Sequence, residues 1–80
     1  MQEISAVELM AIYKGVSIVD VREMDEYVDG HVPGAKHIPL STIPVRNNEI
    51  EKSVKHYVIC EAGGRSAQAC AYLEQQGFDV

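Results

Sequence analysis

The stretch Lys55-His56-Tyr57-Val58-Ile59-Cys60-Glu61-Ala62-Gly63-Gly64-Arg65-Ser66 decides the fold. Its first half, up to Cys60, has the apolar run of a largely buried β-strand. The glycine pair then opens a helix that we predict over Ser66 to Gln76, ended by Gly77. A strand that passes directly into a helix is the building unit of an α/β fold with parallel strands.

The amino-terminal segment has the signals of a helix start. Ser5 stands three residues before Glu8, as in a capping box, and the apolar Ile4 and Leu9 can close across the first turn. We predict a helix that runs from there to Tyr13, with an apolar inward side and a left-handed glycine at its end. The inward residues are Leu9, Met10 and Tyr13, and the glycine is Gly15.

The remaining segments alternate between strands and helices. We expect a buried strand over Val16 to Val21, one or two helical turns over Glu23 to Val28, a turn over Gly30 to Ala35, a short strand over Lys36 to Leu40, a loop with one helical turn over Ser41 to Ser53, and the start of a strand over Phe78 to Val80. This order predicts an α/β fold: one domain, residues 1–80, with a small parallel β-sheet flanked by helices and the Cys60 loop at a strand-to-helix junction.

The composition narrows the classes of function. With 80 residues, a net charge of -5 and seven scattered Lys and Arg residues, the chain is not expected to bind nucleic acid. No apolar run approaches the roughly 20 residues that span a membrane, and the start lacks the pattern of an export signal. We therefore expect a cytoplasmic protein with free thiols. We expect no metal, because His31, His37 and His56 lack metal-binding spacing. No cofactor is expected either.

Cys60 is the candidate nucleophile. In parallel α/β sheets, ligands bind beyond the carboxyl ends of the strands, which is where Cys60 lies. Gly63 and Gly64 allow backbone conformations that turn several amide N–H groups toward the sulfur. The positive end of the following helix and the Arg65 guanidinium favour an anion there, so we predict a thiolate at neutral pH.

A cysteine at the end of a strand can also be a small buried apolar residue. For Cys60 the adjoining glycines, arginine and serine favour a functional role. For Cys70 we predict the structural role, because it shares one face of the predicted helix with residues that must pack on the sheet. That face comprises Ser66, Ala69, Cys70 and Leu73.

The chain resembles the rhodanese superfamily through an ordered set of motifs from about Ile18 to Phe78. These are Asp20-Val21-Arg22-Glu23, Glu26-Tyr27, Gly30-His31-Val32-Pro33-Gly34-Ala35, His37-Ile38-Pro39 and Cys60 through Ser66. The resemblance implies a thiosulfate sulfurtransferase-like enzyme that moves a sulfane sulfur from thiosulfate or a persulfide to a thiol or cyanide. Cys60 would carry the sulfur as a persulfide. The substrate-binding loop would comprise Glu61, Ala62, Gly63, Gly64 and Arg65, with Arg65 as the contact for a substrate anion.

The same resemblance assigns a structural role near the site to the charged residues Asp20, Arg22 and Glu26. His31 is expected to hold a turn rather than to act on the substrate. Related phosphatases have five residues between Cys and Arg, whereas four separate Cys60 from Arg65 here. The shorter loop fits one sulfur atom better than a phosphoryl group.

Three further expectations concern donor, partners and a rival function. The Glu61 carboxylate beside the thiol opposes a dianion, which favours a persulfide as the alternative to thiosulfate. The sequence stops before the final strand and helix that are usual in the family, which predicts an incomplete edge and self-association there. The alternative function is a noncatalytic or redox-sensing binding module, since a reactive thiolate is also readily oxidised.

Overall fold

A computed structural model describes residues 5–80 of the chain, and the predicted contact of Ile4 lies outside them. Three parallel strands form the sheet in the order β2-β1-β3: β1 (Ser17–Asp20), β2 (Lys36–His37) and β3 (His56–Ile59). Central β1 pairs with β3 from Ser17 opposite His56 to Asp20 opposite Ile59. This arrangement confirms the α/β class with a small parallel sheet.

The first helix, α1 (Ala6–Ile12), begins as the sequence predicts. The Glu8 amide donates to Ser5 Oγ at 3.1 Å, and the Ser5 amide donates to Glu8 Oε1 at 2.9 Å. Two details of the prediction are wrong: Met10 is 61% exposed, and Gly15 lies in a right-handed 3-10 turn over Tyr13–Gly15. Among the α1 residues whose burial is described, 7–12, only Leu9 is buried, so most of that surface meets solvent.

The other helices are α2 (Met24–Val28), α3 (Ile43–Arg46) and α4 (Gly64–Gln75). The segment predicted as a loop with one turn is more helical than expected, since 3-10 turns over Leu40–Thr42 and Asn47–Glu49 flank α3. Burial explains this compact path, because Ile43 and Ile50 are 1% and 6% exposed. The predicted strand from Lys36 is also shorter than expected, and regular pairing ends at His37.

The last residues do not form the predicted strand. Gly77 has a φ of 91° and turns the chain after α4, as the sequence predicts, and the Phe78 amide then donates to Leu73 O at 3.0 Å. The Phe78 side chain is 7% exposed and packs in the core. The His56 amide donates to Asp79 O at 2.9 Å, so the segment approaches the start of β3 without a regular ladder.

Apolar side chains fill both faces of the sheet, because successive residues of a strand point to opposite sides. Ile18 packs on the face covered by Leu9 of α1, and Val19 packs on the face covered by α3 and α4. On the latter face Ala69 and Leu73 of α4 are 0% exposed. This packing fixes α4 directly behind the end of β3.

The described helices include none long and apolar enough to cross a membrane.

Candidate active site

Cys60 follows β3 directly and precedes the start of α4. Its Sγ accepts hydrogen bonds from the amides of Gly63, at 3.1 Å, and Ser66, at 3.2 Å. Gly63 has a φ of 89°, a left-handed conformation that side chains with a Cβ disfavour, and this turn directs its amide to the sulfur. Gly64 is an ordinary first residue of α4, so only one of the two glycines has the special conformation predicted for both.

The Ser66 hydroxyl is a further contact of the sulfur. Its Oγ lies 3.4 Å from Cys60 Sγ and donates to Gly63 O at 3.1 Å. Sequence reasoning placed Ser66 on the face of the helix that packs on the sheet and assigned it no chemistry. The available signal was its position as third residue of α4, where the amide has no partner within the helix and is free to bind the sulfur.

These contacts make the thiol more acidic than an ordinary cysteine. Burial raises the pKa of Cys60, but the Ser66 hydroxyl and the amides of Ser66, Gly63 and Arg65 stabilise the thiolate and lower the pKa overall. Cys70 is the contrasting case: it is 6% exposed in the core, and burial raises its pKa. Its predicted core position is confirmed, and Cys60 is the thiol of the two with the lowered pKa.

The Arg65 side chain forms a two-pronged ion pair with Glu26 of α2. Arg65 Nη1 and Nη2 donate to Glu26 Oε1 and Oε2 at 2.5 and 2.8 Å. The Arg65 guanidinium, with help from the Glu23 amide, lowers the pKa of Glu26 to about 2. The pair joins the loop over residues 60–65, here called the active-site loop, to α2. The guanidinium that was expected to contact a substrate anion therefore already has a carboxylate partner.

Asp20 and Arg22 form a second ion pair at the end of β1. Asp20 is fully buried, and Arg22 Nη2 donates to its Oδ2 at 2.9 Å and to Gly30 O at 2.7 Å. Arg22 Nη1 also lies 3.6 Å from Glu61 Oε2. The predicted structural group is therefore split: Asp20 and Arg22 hold the turn at Gly30, whereas Glu26 holds the active-site loop.

Two histidines stack on Tyr27 of α2. The rings of His31 and His37 lie 3.8 and 4.3 Å from the Tyr27 ring, centroid to centroid. His31 Nδ1 is 2.9 Å from Tyr27 O, and His37 Nε2 is 2.7 Å from Arg22 O. Both rings thus pack on α2, and each also lies within hydrogen-bond distance of a backbone carbonyl, that of Tyr27 in α2 or that of Arg22 just before it.

The fold and site define a small α/β domain with a cysteine thiol of lowered pKa at the end of a strand. A family model described as the rhodanese-like domain matches residues 5–80, and the chain belongs to this family. A solved rhodanese-like domain protein from Staphylococcus aureus is 40% identical, with a TM-score of 0.92 over 99% of this chain and 80% of that chain. A solved rhodanese-related protein from Thermoplasma volcanium is 32% identical, with a TM-score of 0.92 over 100% and 80% of the two chains.

Curated relatives are longer than this chain. A protein named sulfurtransferase from Allochromatium vinosum is 42% identical over 69 residues, which make up 86% of this chain and 64% of that protein. Across four such relatives, from Allochromatium vinosum and Bacillus subtilis, the chain spans 35% to 64% of their lengths.

Proposed function

We propose that the protein is a sulfurtransferase in which Cys60 carries a sulfane sulfur as a persulfide. The observation that carries the proposal is the set of hydrogen bonds to Cys60 Sγ from the Gly63 and Ser66 amides, at 3.1 and 3.2 Å. They stabilise negative charge on a half-buried sulfur and lower the pKa of the thiol. The name of the Allochromatium vinosum relative, sulfurtransferase, supports the same activity.

The reaction consists of two displacements. The Cys60 thiolate attacks the outer sulfur of the donor and forms an S–S bond, while the donor's own S–S bond breaks and its electron pair leaves on sulfite, from thiosulfate, or on a thiolate, from a persulfide. A thiol or cyanide acceptor then attacks the outer sulfur of the Cys60 persulfide, and the electron pair of that bond returns to Cys60 Sγ. Each half-reaction balances without a metal or organic cofactor, and the kinetics are ping-pong.

The amides act at both stages of this cycle. Before the first displacement they favour the Cys60 thiolate, which is the nucleophilic form of cysteine. When the acceptor removes the sulfur, Cys60 Sγ is the leaving group, and the same N–H donors receive the charge that returns to it. The Ser66 hydroxyl, at 3.4 Å, can turn from Gly63 O to donate to the thiolate.

The test is intact-mass measurement of the reduced protein after thiosulfate or cysteine persulfide, and again after cyanide. We expect a gain of one sulfur, about 32 Da, that cyanide removes, with no gain in Cys60→Ala. Cys70→Ala is the matched control, because this second thiol is buried in the core, and it should load sulfur as the unmodified protein does. Loading of Cys60→Ala to the same extent as the unmodified protein would overturn the assignment.

A redox-sensing module is the second candidate, because the lowered pKa that favours sulfur transfer also favours oxidation of Cys60 to a sulfenic acid. The two candidates differ in turnover. A sensor gives reversible modification by peroxide and no thiocyanate from any sulfane donor and cyanide, whereas a sulfurtransferase gives thiocyanate in repeated cycles.

A further inference from the structure

We propose that Glu26, by holding Arg65, and Glu61, by its charge, select against dianionic donors, so that the site takes its sulfur from persulfides. This inference rests on the proposed sulfurtransferase function and names the class of its donor. A persulfide has one negative charge at most at the transferred sulfur, whether it is a small molecule or a modified cysteine of a protein. Thiosulfate has two.

Arg65 is the cation that belongs to the active-site loop. Both terminal nitrogens of its guanidinium are bonded to Glu26, which also accepts a hydrogen bond from the Glu23 amide at 3.0 Å. The Glu26 carboxylate is therefore fixed from two sides, and a bidentate Arg–carboxylate pair is the strongest form of such contacts. A donor anion that binds Arg65 must compete with this carboxylate.

Arg22 is the other arginine near the Cys60 loop. Its Nε and Nη2 atoms are bonded to the buried Asp20, and Nη2 is also bonded to Gly30 O. The remaining terminal nitrogen, Nη1, lies 3.6 Å from Glu61. Arg22 is thus engaged in holding the end of β1 and the neighbouring turn.

The charged side chains around the Cys60 loop therefore sum to a net negative charge. Two guanidinium groups, from Arg22 and Arg65, face three carboxylates, from Asp20, Glu26 and Glu61. The Cys60 thiolate adds a further negative charge. Because the repulsion of a dianion is twice that of a monoanion at the same position, this balance penalises thiosulfate more than a persulfide.

The favoured step is written with persulfide as donor. The Cys60 thiolate attacks the outer sulfur of R–S–SH and forms the Cys60 persulfide, while the donor's S–S bond breaks with its electron pair leaving on R–S⁻, which takes up the proton of the transferred SH group and becomes the thiol R–SH. Atoms and electrons balance, and no separate oxidant or reductant is needed.

The experiment compares two donors that differ in charge and share the same sulfane chemistry: thiosulfate, a dianion, and methanethiosulfonate, CH3SO2S⁻, a monoanion. Glu26→Gln keeps an oxygen for the Glu23 amide, removes one negative charge and releases Arg65. We expect kcat/KM for thiosulfate to rise about tenfold and that for methanethiosulfonate about threefold, because the logarithm of the effect scales with donor charge. Glu61→Gln removes a charge without releasing Arg65, so its gain with thiosulfate should be smaller.

Two controls isolate the role of Arg65. In the double variant with Glu26→Gln and Arg65→Gln, the cation that Glu26→Gln releases is absent, so the gain in kcat/KM for thiosulfate seen with Glu26→Gln alone should be lost. Glu51→Gln removes one negative charge, as Glu26→Gln does, but at the opposite end of β3, where the Glu51 backbone contacts His56. It should leave kcat/KM for both donors unchanged. Circular dichroism confirms that each variant is folded before its kinetics are compared.

The outcomes separate this inference from the function on which it rests. Suppose that cysteine persulfide loads Cys60 and that Glu26→Gln raises kcat/KM equally for thiosulfate and methanethiosulfonate, or for neither. Selection by charge is then wrong, and the proposed sulfurtransferase function is retained. If no sulfane donor loads Cys60, the function itself is wrong. Faster loading from cysteine persulfide than from a persulfidated protein at equal concentration assigns the small-molecule source, and the reverse assigns a protein source.

Discussion

The adjacent glycines Gly63 and Gly64 offer a measurement of the strain that forms the sulfur site. Gly63 has a φ of 89°, and Gly64 begins α4 with ordinary helical geometry, yet at neither position would a Cβ meet an atom within 4 Å beyond the adjoining residues and the backbone of its own helix. Substitution by Ala therefore differs between the two in backbone conformation and not in crowding. Each substitution also reduces the freedom of the unfolded chain by the same amount, about 0.4 to 1 kcal/mol.

We expect Gly63→Ala to be less stable than Gly64→Ala by about 1 to 2 kcal/mol, the cost of placing a residue with a Cβ in the left-handed region. The effect on unfolding entropy is common to both variants and cancels in this difference. Gly64→Ala alone should be as stable as the unmodified protein or more stable, since Ala is favoured over Gly within a helix. Reactivity should follow the same order, because relief of the strain moves the Gly63 amide away from Cys60 Sγ.

The assay is urea unfolding followed by far-ultraviolet circular dichroism, because the chain has no Trp for fluorescence. Iodoacetamide alkylation at pH 7 gives the reactivity of the thiol in each folded variant. Equal unfolding free energies for the two variants would refute the argument from backbone strain. Equal alkylation rates, despite different stabilities, would show that the Gly63 amide does not activate the sulfur.

Two further predictions concern single contacts of the site. Ser66→Ala should lower the alkylation rate of Cys60 at pH 7 about fivefold, the effect of losing a hydrogen bond worth about 1 kcal/mol to a partly exposed thiolate, and Ser66→Thr, which keeps the hydroxyl, should retain most of the rate. A rate unchanged in Ser66→Ala would leave the hydroxyl without a role. Because the folded pKa of Glu26 is lowered to about 2, its stabilising effect is complete above the ordinary value of 4.5 and is lost as the pH falls toward 2. The stability difference between the unmodified protein and Glu26→Gln, measured by urea unfolding at several pH values, should shrink over that interval, and a constant difference would contradict the ion pair.

The strands β1 and β3 and the position of Cys60 could be predicted because they depend on local patterns. An apolar run of strand length followed by glycines has few other structural solutions. Burial of Cys70 was predictable for the same reason, since helical spacing places it with Ala69 and Leu73. The resemblance to rhodaneses then supplied the chemistry that the local patterns left open.

The contacts of Arg65 could not be predicted in this way. Its partner Glu26 lies 39 residues away on α2, and the tertiary fold brings the two side chains together. The position of Arg65 in the motif suggested a free cation, and only the tertiary structure gives it a carboxylate partner. The prediction that Met10 faces inward was wrong for a related reason. The helix α1 is too short for its sequence pattern to define a buried side.

The helix α4 links the packing of the core to the nucleophilicity of Cys60. Leu73, fully buried, lies seven residues from Ser66, about 10 Å along the helix axis. A tilt of about 6° around this anchor displaces the Ser66 amide by about 1 Å, which is enough to break its hydrogen bond to the sulfur. The packing around Leu73 therefore fixes the tilt of α4 and with it the position of the Ser66 amide. Core residues far from the loop influence the nucleophilicity of Cys60 in this way.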